Sequence, residues 1–405
     1  MSGYGLIGEK LSHSFSPQIH TLLGSYDYRL IELSAHELPG FMRDNTLRGF
    51  NVTIPYKQAV IPYLSGLSDA AGRIGSVNTV IRQPDGSLIG DNTDYFGFEK
   101  LLGDAGVLKG KKALILGSGG ASRTVQAVLA DAGLSPIVVI SRKGDDNYGN
   151  LEKHHDASLI VNATPMGMYP DVEAAPLDLS RYDGLQLVLD LIYNPARTRL
   201  LLNAEDLGIP CRNGLLMLAA QAMRASELFG RRLPGDDISR EIVARLERHT
   251  LNIALIGMPG CGKTSVGKAL ARLTGRPFHD TDEMIWAEFG SSPAQIIAQD
   301  GETAFRALET KVLARVCKES GAIIATGGGV VTRPENRNLL RQNSRVVLLE
   351  RSLHLLPTQN RPLSQLKGLE TLYRKRQPLY SSWSDRHYAH LSIEATAKAI
   401  KEDLL

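Results

Sequence analysis

Residues 251–267 read Leu251-Asn-Ile-Ala-Leu-Ile-Gly257-Met-Pro-Gly260-Cys261-Gly262-Lys263-Thr264-Ser265-Val-Gly267. The apolar run Ile253–Ile256 predicts a strand, and the residues after Thr264 predict a helix. Between them stands G-x-x-x-x-G-K-[ST], in the strand-to-helix context that gives this pattern its meaning. Gly257, Gly260 and Gly262 let backbone N–H groups turn toward phosphate oxygens, with Cys261 and Ser265 inside the same loop. Lys263 can reach the β- and γ-phosphates, and the Thr264 hydroxyl can meet Mg²⁺. A Gly-rich turn with a chance lysine would not place strand, glycines, Lys and Thr in one register. Such a loop normally opens its domain, so the first 250 residues must form something else.

The chain has 405 residues, enough for two or three domains. Its net charge of +3 argues against a nucleic-acid-binding stripe and suits small anionic substrates. It has no apolar run of about 18 residues, so no membrane span is expected. The opening MSGYGLIGEK lacks the basic-then-apolar pattern of a signal peptide. Cys211, Cys261 and Cys317 are far apart, which predicts neither a disulfide framework nor a zinc site. A reducing, cytoplasmic setting is expected.

Tyr4–Ile7 and Tyr28–Leu33 read as strands around a helix near Pro17–Leu23, the rhythm of an α/β layer. Ser14 and Ser16 precede Pro17 at that helix start, where hydroxyls and N–H groups can hold an anion or simply cap. Phe50-Asn51-Val52-Thr53-Ile54-Pro55-Tyr56-Lys57 is a strand that delivers a lysine just past its end. Ser76-Val77-Asn78-Thr79-Val80 is a strand carrying a polar Asn, followed by a hairpin at Pro84-Asp85-Gly86. Asp94, in Asp91-Asn92-Thr93-Asp94, stands at a helix start, where capping is the plain alternative. All these polar residues lie at strand ends, which converge on one edge of an α/β sheet.

Lys112–Leu116 is an apolar strand leading to Gly117-Ser118-Gly119-Gly120-Ala121-Ser122 and a helical pattern through Ala132. A second strand, Ile137–Ile140, completes a dinucleotide-binding unit. That strand ends in Ser141-Arg142-Lys143 and not in the carboxylate that would bind a ribose 2′-OH. An Arg there suits a 2′-phosphate, so NADP is favoured over NAD. Leu159–Ala163 leads to Asn162-Ala-Thr164-Pro-Met166-Gly-Met168, and Leu187–Leu191 to Tyr193-Asn-Pro195. The helix Leu215–Leu228 carries Gln221 among apolar residues, and a buried Gln needs a partner. His154 and His155 read as exposed loop residues.

On these motifs, residues 1–249 resemble shikimate dehydrogenase over nearly their whole length. The resemblance implies a substrate domain in residues 1–100, completed by helices in about 225–249, and a Rossmann-like NADP domain in 101–224. It implies that Ser14 and Ser16 hold the substrate carboxylate, that Thr53, Asn78, Tyr193 and Gln221 contact the substrate, and that Lys57 and Asp94 form the catalytic pair. It places Gly117, Ser118, Gly119, Gly120, Ala121, Ser141, Arg142, Asn162, Thr164 and Met166 along NADP, with Gly214 and Met217 near the nicotinamide.

The helical stretch Asp236–His249 runs into strand 251–256 without a Gly/Ser or Pro linker, so a semi-rigid junction is expected. Beyond the P-loop helix come Phe278-His279-Asp280-Thr281-Asp282, Phe305-Arg306-x-x-Glu309, the triple glycine Gly327–Gly329, Arg361-Pro362-Leu363, and Arg376-Gln-Pro378-Leu-Tyr380. Read alone, Asp280-x-Asp282 suits a helix cap, and Arg306 with Glu309 suits a surface pair one turn apart. Together they resemble shikimate kinase over residues 250–405, a P-loop α/β domain with a parallel sheet. The resemblance implies that Arg306 and Arg376 grip the shikimate carboxylate, with Phe305, Gly328 and Gly329 beside the ring. It implies that Asp282 binds ring hydroxyls and takes a proton, that Lys263 and Arg361 cover the transferred phosphoryl group of ATP, and that Asp280 reaches Mg²⁺ through water.

The stretch before the lid, Arg351-Ser-Leu-His354-Leu-Leu-Pro-Thr-Gln-Asn, departs from that family's longer, more basic segment, and the lid Ser364–Leu369 is short. A weaker adenine clamp or faster lid opening is expected. Cys261 reads as a small filler in the loop, with a redox-sensitive thiol as the alternative. The expectation is therefore a bifunctional shikimate-pathway enzyme acting on 3-dehydroshikimate and then shikimate. Quinate or NAD use, a regulatory protein built from retired enzymes, and a generic nucleotide kinase are the alternatives.

Overall fold

The computed structural model describes residues 3–11, 14–24, 26–104, 106–231, 238–356, 368–389 and 391–405. The chain divides into two compact units, Met1–Tyr193 with Asn203–Ala244, and Asn194–Leu202 with Arg245–Leu405.

The first unit holds two sheets. One is built from β1 (Tyr4–Gly8), β2 (Tyr28–Glu32), β3 (Gly49–Val52), β4 (Gly66–Leu67), β5 (Thr79–Arg82) and β6 (Leu88–Asp91), in the order β2-β1-β3-β5-β6-β4. β1 runs parallel to both β2 and β3, whereas β5 and β6 form the expected antiparallel hairpin across Gly86, at φ +88°. Its core gathers Ile7, Phe50, Val52, Val60, Val77 and Val80. Beneath β1 and β2, His20 stacks on Tyr28 with centroids 3.8 Å apart. Burial pushes the His20 imidazole down to about 3, so it stays neutral.

The second sheet contains β7 (Ala113–Leu116), β8 (Ile137–Ile140), β9 (Leu159–Asn162), β10 (Leu187–Asp190) and β11 (Cys211–Arg212), in the order β11-β10-β9-β7-β8. Every pair is parallel. All but the two-residue β11 are near-continuous aliphatic runs, as expected of strands covered on both faces. β7 is flanked by β8 and β9, so the crossovers leave it in opposite directions and a crevice opens beyond its end. That end is Gly117, the start of the dinucleotide turn.

The second unit repeats the device. β12 (Asn252–Ile256), β13 (Phe278–Asp280), β14 (Ile323–Ala325), β15 (Ser344–Glu350) and β16 (Arg386–Ala389) form a parallel sheet ordered β13-β14-β12-β15-β16. β12 lies between β14 and β15, and the P-loop leaves from its carboxyl end. The core residues Ile253, Leu255, Leu270, Ile324, Val347 and Tyr380 are fully or nearly fully buried. Among the described residues, no helix is long and apolar enough to cross a membrane.

Most anticipated elements agree within a residue or two, with Ile137–Ile140 and Leu215–Leu228 matching at both ends, whereas the helix expected over Asp236–His249 is Ser239–Thr250, Asp236 and Asp237 lying outside the described residues. One correction is local. Asn78 precedes β5 instead of lying inside a strand, because its side chain is engaged by a backbone N–H of the following helix.

Candidate active sites

In the first unit, β3 ends at Val52 and the chain turns to bring Lys57 beside Asp94, the second residue of the helix Thr93–Leu102. Lys57 Nζ donates to Asp94 Oδ2 at 2.6 Å. The lysine side chain is 29% exposed and the aspartate 9%. Asp94 therefore does not cap its helix. Asn92 occupies the cap position, with its amide bound to the Ser76 carbonyl.

Asn78 stands next to this pair. Its Oδ1 accepts from Thr93 N at 2.7 Å, which fixes the amide so that Nδ2 points to Gln221 Oε1 at 3.3 Å. Behind it, Asn51 donates to Thr79 Oγ1 and accepts from Tyr28 OH. Thr93 and Asn51 are supports that motif reading did not assign. Ser14 Oγ accepts from Ser16 N at 3.2 Å, at the start of the helix Ser16–Gly24. Phe15 and Tyr193 bring their rings to 5.7 Å, and burial raises the Tyr193 phenol. Thr53 follows β3, and its N–H donates to Ile7 O.

A cavity of about 1150 Å³ opens beyond β7. Gly117, Ser118, Gly119, Ser141, Arg142, Thr164 and Met166 line it, together with Tyr148, which carried no periodic signal in sequence. Gly117 has φ +102°, and a Cβ there would lie 2.8 Å from Thr164 Cγ2. Gly120 and Ala121 open the helix Gly120–Asp131 above the same turn. Asn162 is fully buried. It binds Asp190 Oδ1 at 3.0 Å and Thr164 Oγ1 at 2.6 Å, so it shapes the loop that lines the cavity. Gly214 caps the helix Leu215–Leu228, and a Cβ there would meet Leu191 O at 2.1 Å. Met217 packs in the core of this sheet.

His154 is a correction: it is buried, not exposed. Its Nε2 lies 2.8 Å from Asp146 Oδ1, because the short turn Leu151–His154 folds the ring back under the loop. The His155 ring packs edge-on against Tyr182.

In the second unit, the P-loop glycines adopt φ +142° at Gly257, +83° at Gly260 and +105° at Gly262. These are conformations that L side chains rarely adopt. Lys263 Nζ donates to the loop carbonyls of Gly257 at 2.9 Å and Met258 at 3.0 Å. Thr264 Oγ1 donates to Asp280 Oδ2 at 2.6 Å, and Asp280 also caps the helix Thr281–Phe289. Ser265 is the third residue of the helix Lys263–Thr274. Cys261 is fully buried between Gly257 and the lysine, as a filler would be. Among the described residues, no group of three or more His, Cys, Asp or Glu side chains is arranged to hold a metal ion.

Arg306 and Glu309 are not a surface pair. They join at 2.7 Å with side chains 8% and 0% exposed, because the Gly327–Gly329 loop lies over them. A Cβ at Gly329 would sit 1.9 Å from Arg306 Nη2, and one at Gly327 would sit 2.2 Å from Glu309 Oε1. Phe305 packs with Ile285, Ile296 and Val312, and the Arg306 guanidinium lies over its ring. Arg376 Nη1 and Tyr380 OH both donate to Gly328 O. Asp282 Oδ1, Glu309 Oε1 and Arg306 Nε are buried without protein partners. Three orphaned polar atoms around one glycine loop mark a place built for a polar ligand. Burial and the charges of Asp280 and Glu309 push the Asp282 carboxyl up to about 7, against the opposing pull of Lys263 and Arg306. Arg361 and most of the lid lie outside the described residues.

Comparison with known proteins fits these two constructions. The family model of the shikimate dehydrogenase substrate binding domain matches residues 6–80, and that of shikimate kinase matches residues 259–404. A shikimate dehydrogenase (NADP(+)) of Clostridium beijerinckii is 37% identical over 251 residues, covering 56% of this chain and 92% of that protein. The solved chorismate mutase/shikimate 5-dehydrogenase fusion protein of Clostridium acetobutylicum matches with a TM-score of 0.57 and 36% identity, over 61% of this chain and 97% of its own. Shikimate 5-dehydrogenase of Thermus thermophilus, solved with NADP(H) and shikimate, matches with a TM-score of 0.54 and 36% identity, over 60% and 99%. The chain belongs to the shikimate dehydrogenase family and joins to it, over residues 259–404, a shikimate kinase region.

Proposed function

We propose that the chain catalyses two consecutive reactions: NADPH-dependent reduction of 3-dehydroshikimate to shikimate, and phosphorylation of the shikimate 3-hydroxyl by MgATP. The observation that carries the first is the Lys57–Asp94 pair at 2.6 Å beside the oriented amide of Asn78. The relatives' names also support the first, and the shikimate kinase family match over residues 259–404 supports the second.

The cavity beyond β7 suits NADP(H). Its glycine turn excludes a side chain, and Arg142 stands where a 2′-phosphate would be met. When bound, the cofactor supplies the hydride for the carbonyl carbon. Lys57 then gives a proton from Nζ to the carbonyl oxygen and stabilises the charge developing on it. Asp94 orients that ammonium. Ser14 and Ser16 hold the carboxylate, while Thr53, Tyr193 and Gln221 border the ring. The partial exposure of Lys57 lets solvent restore its proton.

In the kinase unit, Arg306 and Arg376 would fork onto the same carboxylate, with Gly328 and Gly329 presenting backbone to the ring. Asp282 binds the ring hydroxyls and takes the proton of the attacking one. Lys263 exchanges loop carbonyls for phosphate oxygens. Thr264 and Asp280 would hold Mg²⁺ directly and through water, and the ion would neutralise phosphate charge. The placement of Arg361 over the phosphoryl group rests on the resemblance alone.

The test uses the full-length protein with 3-dehydroshikimate, NADPH and MgATP, following nicotinamide absorbance alongside ADP release. ADP release that requires prior NADPH consumption is expected. NADPH consumption without ADP release would overturn the kinase half, and ADP release only with added shikimate would overturn the dehydrogenase half. Parallel runs with quinate and with NAD⁺ fix the substrate and cofactor preference.

A further inference from the structure

We propose that His154 is a positioning residue for the cofactor: by holding Asp146 it fixes the turn that presents Arg142 to the 2′-phosphate of NADP(H). The inference rests on the NADP reading above.

The turn begins where β8 ends. Ser141 N donates to Asp146 O at 3.1 Å, closing a loop whose first two residues, Ser141 and Arg142, line the cavity. Other bonds in the segment stay within it, such as Asn150 Nδ2 to Asp145 O and Asn147 Nδ2 to Gly144 O. His154 reaches out of the loop's own network. Its ring is 9% exposed and meets an Asp146 carboxylate that is 39% exposed. The ring itself stands on a fixed base. Ala157 N donates to His154 O at 3.1 Å, and Lys112, at the foot of β7, donates to Lys153 O at 3.2 Å and to Asp156 Oδ1 at 2.7 Å. The clamp thus ties the Arg142 turn to the foot of β7.

The chemistry of the contact assigns the tautomer. A carboxylate only accepts, so Nε2 carries the hydrogen. Nδ1 is buried with no hydrogen-bond partner. The clamp also solves a charge problem. Asp145 and Asp146 stand three and four residues from Arg142, and either would compete with a phosphate for its guanidinium. Among the described residues Arg142 makes no ion pair, while Asp146 is held by His154. With the Asp146 carboxylate held by His154, the arginine is left to an anionic ligand.

The experiment measures kcat and KM for shikimate oxidation with NADP⁺ and with NAD⁺, in the full-length wild type, His154→Ala, His154→Gln and Asp146→Ala. ADP release by the kinase unit and thermal melting report folding. His154→Ala should raise KM for NADP⁺ about tenfold, the worth of one good contact to a charged group, with kcat at saturation and the NAD⁺ parameters little changed. His154→Gln, which retains an N–H donor, should recover most of the loss. If His154→Ala does not fold, Asp146→Ala, whose side chain is partly exposed, should show the same selective rise. Equal effects on NADP⁺ and NAD⁺, no effect, or a lowered KM for NADP⁺ in Asp146→Ala would overturn the proposal. Wild type that shows no preference for NADP⁺ would instead overturn the cofactor reading, and is recognised before any variant is made.

Discussion

Single side chains decide each chemistry. Lys57→Met removes the proposed proton donor of the reduction while keeping an unbranched stem. Dehydrogenase kcat should fall by roughly 10²–10⁴-fold, with NADPH binding, followed by nicotinamide fluorescence, retained. If Asp282 is the proton acceptor proposed for the kinase unit, the acid limb of the pH–rate profile is set by its carboxyl, pushed up to about 7. Below that pH the carboxyl is protonated and cannot accept the hydroxyl proton, so kcat/KM for shikimate should rise through about pH 7 and then level. Glu309 supplies part of that upward push as a like charge. Glu309→Gln should move the limb to lower pH, a shift seen by repeating the profile, while the lost grip on Arg306 raises KM. An unmoved limb would mean that another group titrates there.

Among the elements, the glycine turns carry the sharpest expectations. Gly329→Ala would place a methyl 1.9 Å from Arg306 Nη2. The atom in the way is the tip of a long side chain, so the fold should survive while the guanidinium moves. Kinase KM for shikimate should rise about tenfold or more, since a charged contact of this kind is worth about 1.5–3 kcal/mol, with melting temperature changed little. Strand ends and P-loop were legible in sequence because apolar runs and glycine spacing are local signals. The Lys57–Asp94 pair was legible only through resemblance, since 37 residues separate its members. The burial of Arg306 and Glu309 was not legible. Their spacing gives the pairing, but the Gly327–Gly329 loop that covers them comes from a different strand end. His154 was missed for a related reason: a loop contact with Asp146, eight residues away, has no periodicity to announce it.

For the whole molecule, two units with separate cores predict separable activities. Lys263→Ala should abolish ADP release and leave NADPH oxidation at wild-type rate, and Lys57→Met should do the reverse when shikimate is supplied. Assaying each reaction alone checks both. A loss of both activities in either variant would show that the units depend on one another's chemistry. The two carboxylate sites also differ in kind. As proposed, Ser14 and Ser16 offer neutral hydroxyls and N–H groups at a half-buried helix start, whereas the guanidinium groups of Arg306 and Arg376 belong to residues only 7% and 3% exposed. On the proposed reading both sites address one anion, held by neutral donors in the first and by guanidinium groups in the second. Salt weakens attraction between charges, least where they are buried, and leaves neutral hydrogen bonds nearly untouched, so on that reading added salt should raise the kinase KM for shikimate modestly and the dehydrogenase KM less.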